Sequence, residues 1–199
     1  MTKGITAIVL AAGESRRMGR PKLILPWGKT TVLGQVVETF ALAGIKGILV
    51  ITGGTREPVE AEVARLTEKY PVWAVYNPEF ARGGMLSSIQ AGLAALEPEA
   101  CAALIGLGDQ PQVREETVRH ISDVFVHTGS PLVIPSFQGK RGHPWLVARS
   151  LWPEILALSI STTPRQFLNA HANQIEYVVA EESTLKDLDT LEEYDLQKP

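Results

Sequence analysis

ITAIVLAAGESRRMGRPK, residues 5–22, decides how the rest of the chain is read. Its first seven residues are a short apolar run that ends at Gly13, the pattern of a buried strand entering a loop. Ala11, Ala12 and Gly13 leave the backbone bare, so a flat ring or a phosphate can approach it closely. Successive amides in a tight turn form an anion-binding concavity. Arg16, Arg17, Arg20 and Lys22 add charge, and guanidinium groups match phosphate oxygens two at a time. The spacing is neither GxxxxGK[ST] nor GxGxxG, so neither a P-loop nor a Rossmann fingerprint is present. A solvated basic turn and an anion cradle both satisfy this loop taken alone.

Outward from residue 22, strands and helices alternate. A helix over 31–44 aligns Val32, Leu33, Val36, Val37 and Phe40 on one face and stops at Gly44. A strand at 46–52, a charged helix at 57–69, a strand at 72–76 and the loop NPEFARGG follow. A helix over 85–96 aligns Leu86, Ile89, Leu93 and Leu96. The apolar run 101–107 is a further strand, with Cys101 assigned to the core, and a helix at 113–127 precedes the strand 132–135. This order predicts an α/β fold: a doubly wound, mostly parallel sheet with right-handed crossovers. Ligands in such sheets sit outside the carboxyl ends of the strands, which directs attention to the loops after residues 11, 52, 76, 107 and 135. FQGKRGHPW (137–145) reads as a turn between two strands, a small hairpin insertion. Helices near 149–158 and 164–171, a strand at 174–180 and a short terminal helix complete the chain. With no repeat, low-complexity tract or linker, residues 1–199 are expected to form a single domain.

Composition narrows the function classes. The 199 residues are 45% apolar, enough for a sizeable core. No apolar run approaches the ~20 residues of a membrane span, and no signal peptide is read. The one cysteine, Cys101, rules out an internal disulfide framework and suits a cytoplasmic setting. A net charge of −3 argues against nucleic acid as a partner. An anionic ligand must therefore be met by a local cluster of cations.

Four further segments carry candidate chemistry. Gly108-Asp109-Gln110-Pro111 follows an apolar strand, so Asp109 stands at the carboxyl edge of the sheet. It is either a ligand for a hard cation or a turn residue capping the next helix. In Asp187-Leu188-Asp189-Thr190, alternate residues of an extended segment share a face; the alternative is a cap on the last helix by Asp189 or Thr190. Ala81–Ser88 runs from a loop into a helix N-terminus, where Ser87 and Ser88 could hydrogen-bond a base or sugar or simply cap. Lys140-Arg141-Gly142-His143-Pro144 places two cations and a histidine on a hairpin that could meet a second anion.

Together, LAAGESRRMGRPKLILPWG, GGMLSSIQAGL, LIGLGDQP, RGHP and DLDTLEEY resemble the MobA-like nucleotidyltransferases, and within them the molybdenum cofactor cytidylyltransferase branch. The resemblance implies a Rossmann-like nucleotide-diphospho-sugar transferase fold. It also implies transfer of CMP from CTP to the phosphate of a molybdopterin-type cofactor, with release of pyrophosphate and with Mg²⁺ or Mn²⁺. Position by position, Leu10, Ala11, Ala12 and Gly13 would lie against the base. Arg17 and Lys22 would hold the triphosphate, and Ser88, by its place before the helix, would reach base or ribose. Asp109 and Asp189 would hold the metal, with Asp187 as neighbour, and Arg141, Gly142 and His143 would face the acceptor. Arg17, Lys22 and Asp109 are the catalytic set. Ala-Ala before the glycine resembles the cytidylyl branch; guanylyl members usually have Ala-Gly-Gly. SISTTPRQFLN replaces the branch's GDxGAR-like stretch, and Leu191 replaces a usual proline. The first departure keeps other readings open: GTP or a sugar phosphate as substrate, or a nucleotide-binding partner that escorts a cofactor to a molybdoenzyme without turnover.

Overall fold

The computed structural model describes residues 4–199. From β1 (Ile5–Ala11) the chain passes through two 3₁₀ turns and a two-strand hairpin, β2 (Pro26–Trp27) and β3 (Thr30–Thr31), into α1 (Val32–Leu42). Strict alternation follows: β4 (Ile48–Thr52), α2 (Arg56–Leu66), β5 (Val72–Tyr76), α3 (Phe80–Ala94), β6 (Ala102–Leu107) and α4 (Glu115–Thr128). The last third comprises β7 (Leu132–Phe137), β8 (Lys140–Arg141), β9 (Trp145–Ala148), α5 (Trp152–Ala157), α6 (Pro164–Ala170), β10 (Ile175–Val179) and α7 (Leu191–Gln197).

The main sheet runs β10-β7-β9-β6-β1-β4-β5, with β8 attached to β7. β1 is parallel to both β4 and β6, β4 to β5, and β7 to β10. β9 lies between β6 and β7, antiparallel to both. It thereby leaves β6 and β7 pointing the same way, so β1, β4, β5, β6, β7 and β10 all end at one edge. The sheet is mixed but mostly parallel, as expected.

Period-two alternation explains the two helical layers. Ala7, Val9, Ile48, Val50, Ala102, Leu104 and Val133 face one side, packed under α1, α2, α4 and α7. Ile8, Leu49, Ile51, Ala103, Ile105, Leu132 and Ile134 face the other, under α3, α5 and α6. Strands covered on both faces must be apolar throughout, which is why β4 is buried along its whole length. All five apolar residues assigned to one face of α1 are buried.

Two local expectations need correction. Cys101 is exposed, because β6 starts one residue later, at Ala102. Ser88 does not precede a helix: α3 begins at Phe80, breaks at Gly84 (φ 54°, ψ −142°) and resumes, leaving Ser88 inside it. Only glycine adopts that backbone geometry without strain. Among the described residues no helix is long and apolar enough to cross a membrane.

Candidate active site

The ends of β1 and β6 frame the first part of the site. Beyond β1, Arg16–Met18 and Lys22–Ile24 form single 3₁₀ turns. They line a cavity of about 350 Å³ with Leu10, Ala11, Gly13, Asp109 and Asp189. The Lys22 amide donates to Ser15 Oγ at 3.1 Å, fixing the loop's return. Lys22 Nζ then pairs with Asp109 Oδ2, reaches Asp189 Oδ1 at 3.4 Å and donates to the Leu188 carbonyl at 3.0 Å. Arg17 Nη1 meets Asp189 Oδ2 at 2.7 Å, and Arg16 meets Glu14 at 2.7 Å. Side chains far apart along the chain therefore converge on one ammonium group.

The cap alternative holds for Thr190 and for neither acid. Thr190 accepts from the Glu193 amide and forms a capping box with it, which leaves Asp189 facing the cleft. α4 has no side-chain cap, so Asp109 is not a helix cap either. Gln110, buried at 3% exposure, donates to Asp187 Oδ1 at 2.6 Å. The Asp187 carboxyl is pushed above the ordinary carboxylate range, first by desolvation and next by the negative charge of Asp109.

A second cavity, about 320 Å³, shares Leu10, Gly13 and Asp109 with the first and adds Ala12, Phe80, Gly84, Met85, Ser88, Leu107 and Asp187. Ser88 thus faces the expected region despite its different setting. Its hydroxyl oxygen accepts from Asn77 Nδ2 at 3.1 Å, and the same amide donates to Ser87 at 2.9 Å. Asn77 is fully buried and was missed by sequence reasoning, because its partners lie ten and eleven residues further along.

A third cavity, about 860 Å³, begins at Met85 and extends under the β7–β8 hairpin. Lys140, Arg141, Gly142 and His143 line it, as expected, together with Trp145, Arg165, Leu168, Asn169 and Tyr177. Gly142 contributes by close approach: a Cβ there would sit 2.7 Å from the Thr184 carbonyl oxygen. Burial pushes the His143 imidazole down to about 4, so at neutral pH it is an uncharged group. The cationic character expected of this hairpin therefore rests on Lys140 and Arg141.

No group of three His, Cys, Asp or Glu among the described residues is arranged to hold a metal. Asp109 and Asp189 nevertheless converge on a single cation, the Lys22 ammonium. Two carboxylates suit a hard divalent ion that completes its shell with water and phosphate oxygens. The residues present fit such an ion.

Residues 7–175 match the MobA-like NTP transferase domain. The chain belongs to that family. Its relatives include the molybdenum cofactor cytidylyltransferase of Escherichia coli, 29% identical over 82% of this chain and 80% of that protein. Another member-like relative is nicotine blue oxidoreductase of Paenarthrobacter nicotinovorans, 30% identical over 95% of this chain and 94% of that one. Among solved structures, Rv0371c of Mycobacterium tuberculosis superimposes with a TM-score of 0.82 at 30% identity, covering 98% of this chain and 97% of that one. The same protein has been crystallised in complex with manganese. Relatives of this chain are thus named for more than one activity, and the acceptor must be argued from the site.

Proposed function

We propose that this protein transfers CMP from CTP to the phosphate of a molybdopterin-type acceptor, releasing pyrophosphate. The observation that carries the reading is the convergence of Lys22, Asp109 and Asp189 beside a glycine-bearing, arginine-rich turn. The two smaller cavities divide the nucleotide: Arg17 and Lys22 take the triphosphate, while Leu10, Ala11, Ala12, Gly13 and Ser88 take base and ribose. The acceptor lies in the cavity of Arg141, Gly142 and His143. Its phosphate oxygen is already a nucleophile, so no general base is required; the protein's task is alignment and neutralisation of charge. Asp109 and Asp189 would hold Mg²⁺ or Mn²⁺, which supplies charge neutralisation on phosphate oxygens when bound. For the nucleotide to enter, Lys22 and Arg17 exchange their carboxylate partners for phosphate oxygens. Ala12 supports a cytidylyl preference through the resemblance of its Ala-Ala pair.

The test is pyrophosphate release with CTP and GTP, each with and without molybdenum-loaded molybdopterin, in magnesium or manganese. Release with CTP that depends on the acceptor is expected. Acceptor-dependent release with GTP alone would reassign the base, and tight nucleotide binding without release would favour the escort reading. A parallel arm with a reduced nicotinamide donor covers the oxidoreductase relative.

A further inference from the structure

The charged side chains that line the Arg141 cavity are all of one sign. Lys140, Arg141 and Arg165 line it, and no acid does. None of the three cations takes part in an ion pair among the described residues, whereas Arg16, Arg17, Lys22, Arg56, Arg65 and Arg114 each hold a carboxylate. Arg141 is nevertheless fixed in place. Its Nε donates to the Tyr177 hydroxyl oxygen at 2.8 Å, and its Nη1 donates to Asn169 Oδ1 at 2.7 Å. The three residues come from β8, β10 and α6, so only the folded chain assembles them. Tyr177 sits on the edge strand at 45% exposure, with its hydroxyl on the cavity side against Arg141.

We infer that Tyr177 and Asn169 are positioning residues that aim Arg141 at an anionic group of the acceptor while leaving its charge uncancelled. A carboxylate would hold the guanidinium more firmly but neutralise it. A phenol oxygen and an amide oxygen orient it and leave the full positive charge for the ligand, with the remaining N–H donors for a phosphate or carboxylate fork. The apolar and aromatic wall (Met85, Trp145, Leu168) fits an acceptor whose anionic group is carried on a flat or apolar body rather than a bare inorganic anion. This inference rests on the reading of the cavity as the acceptor site.

The decisive variant is Asn169→Asp, nearly identical in shape. If Asn169 only braces Arg141, aspartate braces it as well or better, and anion binding is kept. If neutrality matters, anion binding is lost. Binding of phenyl phosphate, followed by ligand-detected NMR, is expected to weaken at least 30-fold in Asn169→Asp and three- to tenfold in Tyr177→Phe. In turnover assays the acceptor KM rises while the CTP KM does not. Should Asn169→Asp fail to fold, Tyr177→Phe, which removes one oxygen from an exposed ring, carries the test. Wild-type affinity for phenyl phosphate in a folded Asn169→Asp would overturn the inference while leaving nucleotide transfer untouched. Failure of the wild-type protein to bind phenyl phosphate, with an unchanged acceptor KM in Arg141→Ala, would sink the cavity assignment and the inference together. Absence of CTP-dependent release with phenyl phosphate binding intact and lost in Asn169→Asp would sink the proposed reaction and keep the clamp.

Discussion

In the cleft beyond β1, Arg16, Arg17 and Lys22 lean on Glu14, Asp189 and Asp109, whereas under the β7–β8 hairpin Lys140, Arg141 and Arg165 face no acid at all. The first region is charge-balanced and closed on itself. A ligand entering it must trade places with existing ion pairs, so it has to bring charges of both signs, as a polyphosphate with its divalent cation does. The second region is preset for an anion and needs no exchange. The difference assigns opposite salt and mutation responses to two cavities that are joined through a third: the Ser88 cavity shares Asp109 with the first and Met85 with the second.

The strongest way to break this contrast is at the balanced end. Asp109→Asn removes the acid that Lys22 and the proposed metal share. Turnover is expected to fall about 10²–10³-fold, or about 3–4 kcal/mol of barrier by analogy with lost oxyanion donors. The variant should remain folded, since Lys22 keeps the Leu188 carbonyl and Asp189 as partners when Asp109 loses its charge. Near-normal pyrophosphate release in that variant would remove Asp109 from the chemistry.

A weaker effect, on stability, comes from His143. Its folded-state value of about 4 lies below the ordinary 6.5. Between those values the unfolded chain binds more protons than the folded one, so stability is full above about pH 6.5 and declines as pH falls toward 4. The decline due to this group is about 2–3 kcal/mol. His143→Gln should lose less over that window than wild type in parallel denaturant titrations. Equal losses would show that the imidazole is not held neutral by burial.

The smallest expected effect sharpens the contrast at the unbalanced end. Arg165→Gln should raise the acceptor KM about three- to fivefold, roughly 1 kcal/mol for a partly solvated charge. Raising ionic strength from 50 to 300 mM should shrink that difference. An effect on the CTP KM of similar size would erase the division between the two cavities.

Much of this arrangement could be read from residue order. The apolar runs gave the strands, and Asp109, at the end of one, is where strand-edge logic placed it. That Lys22 joins Asp109 to Asp189, and Arg17 holds Asp189, is written in no local spacing; the resemblance alone grouped these residues. Ser88 is expected before a helix because residues 80–83 read as loop, whereas that turn is the start of α3 and Ser88 lies within the helix. Cys101 was misjudged by a one-residue shift of the strand start. Asn77, Asn169 and Tyr177 left no signal: each matters through side-chain hydrogen bonds to residues on another element, two for Asn77 and one each for Asn169 and Tyr177, and nothing in local periodicity records such bonds. The turn at 137–145 made β9 legible as the antiparallel neighbour of β7; that it also pairs with β6, and so stands between two parallel strands, left no mark in the local pattern.

That reversed strand works as a ruler. Between β6 and β7, β9 and its continuation β8 form one column, so the hairpin that carries Arg141 stands one strand spacing, roughly 5 Å, from the β6 column whose tip carries Asp109. A molecule that touches both ends has to pass Met85, which lines the cavities of both residues, and trimming it from its far end should cost attachment before it costs reactivity.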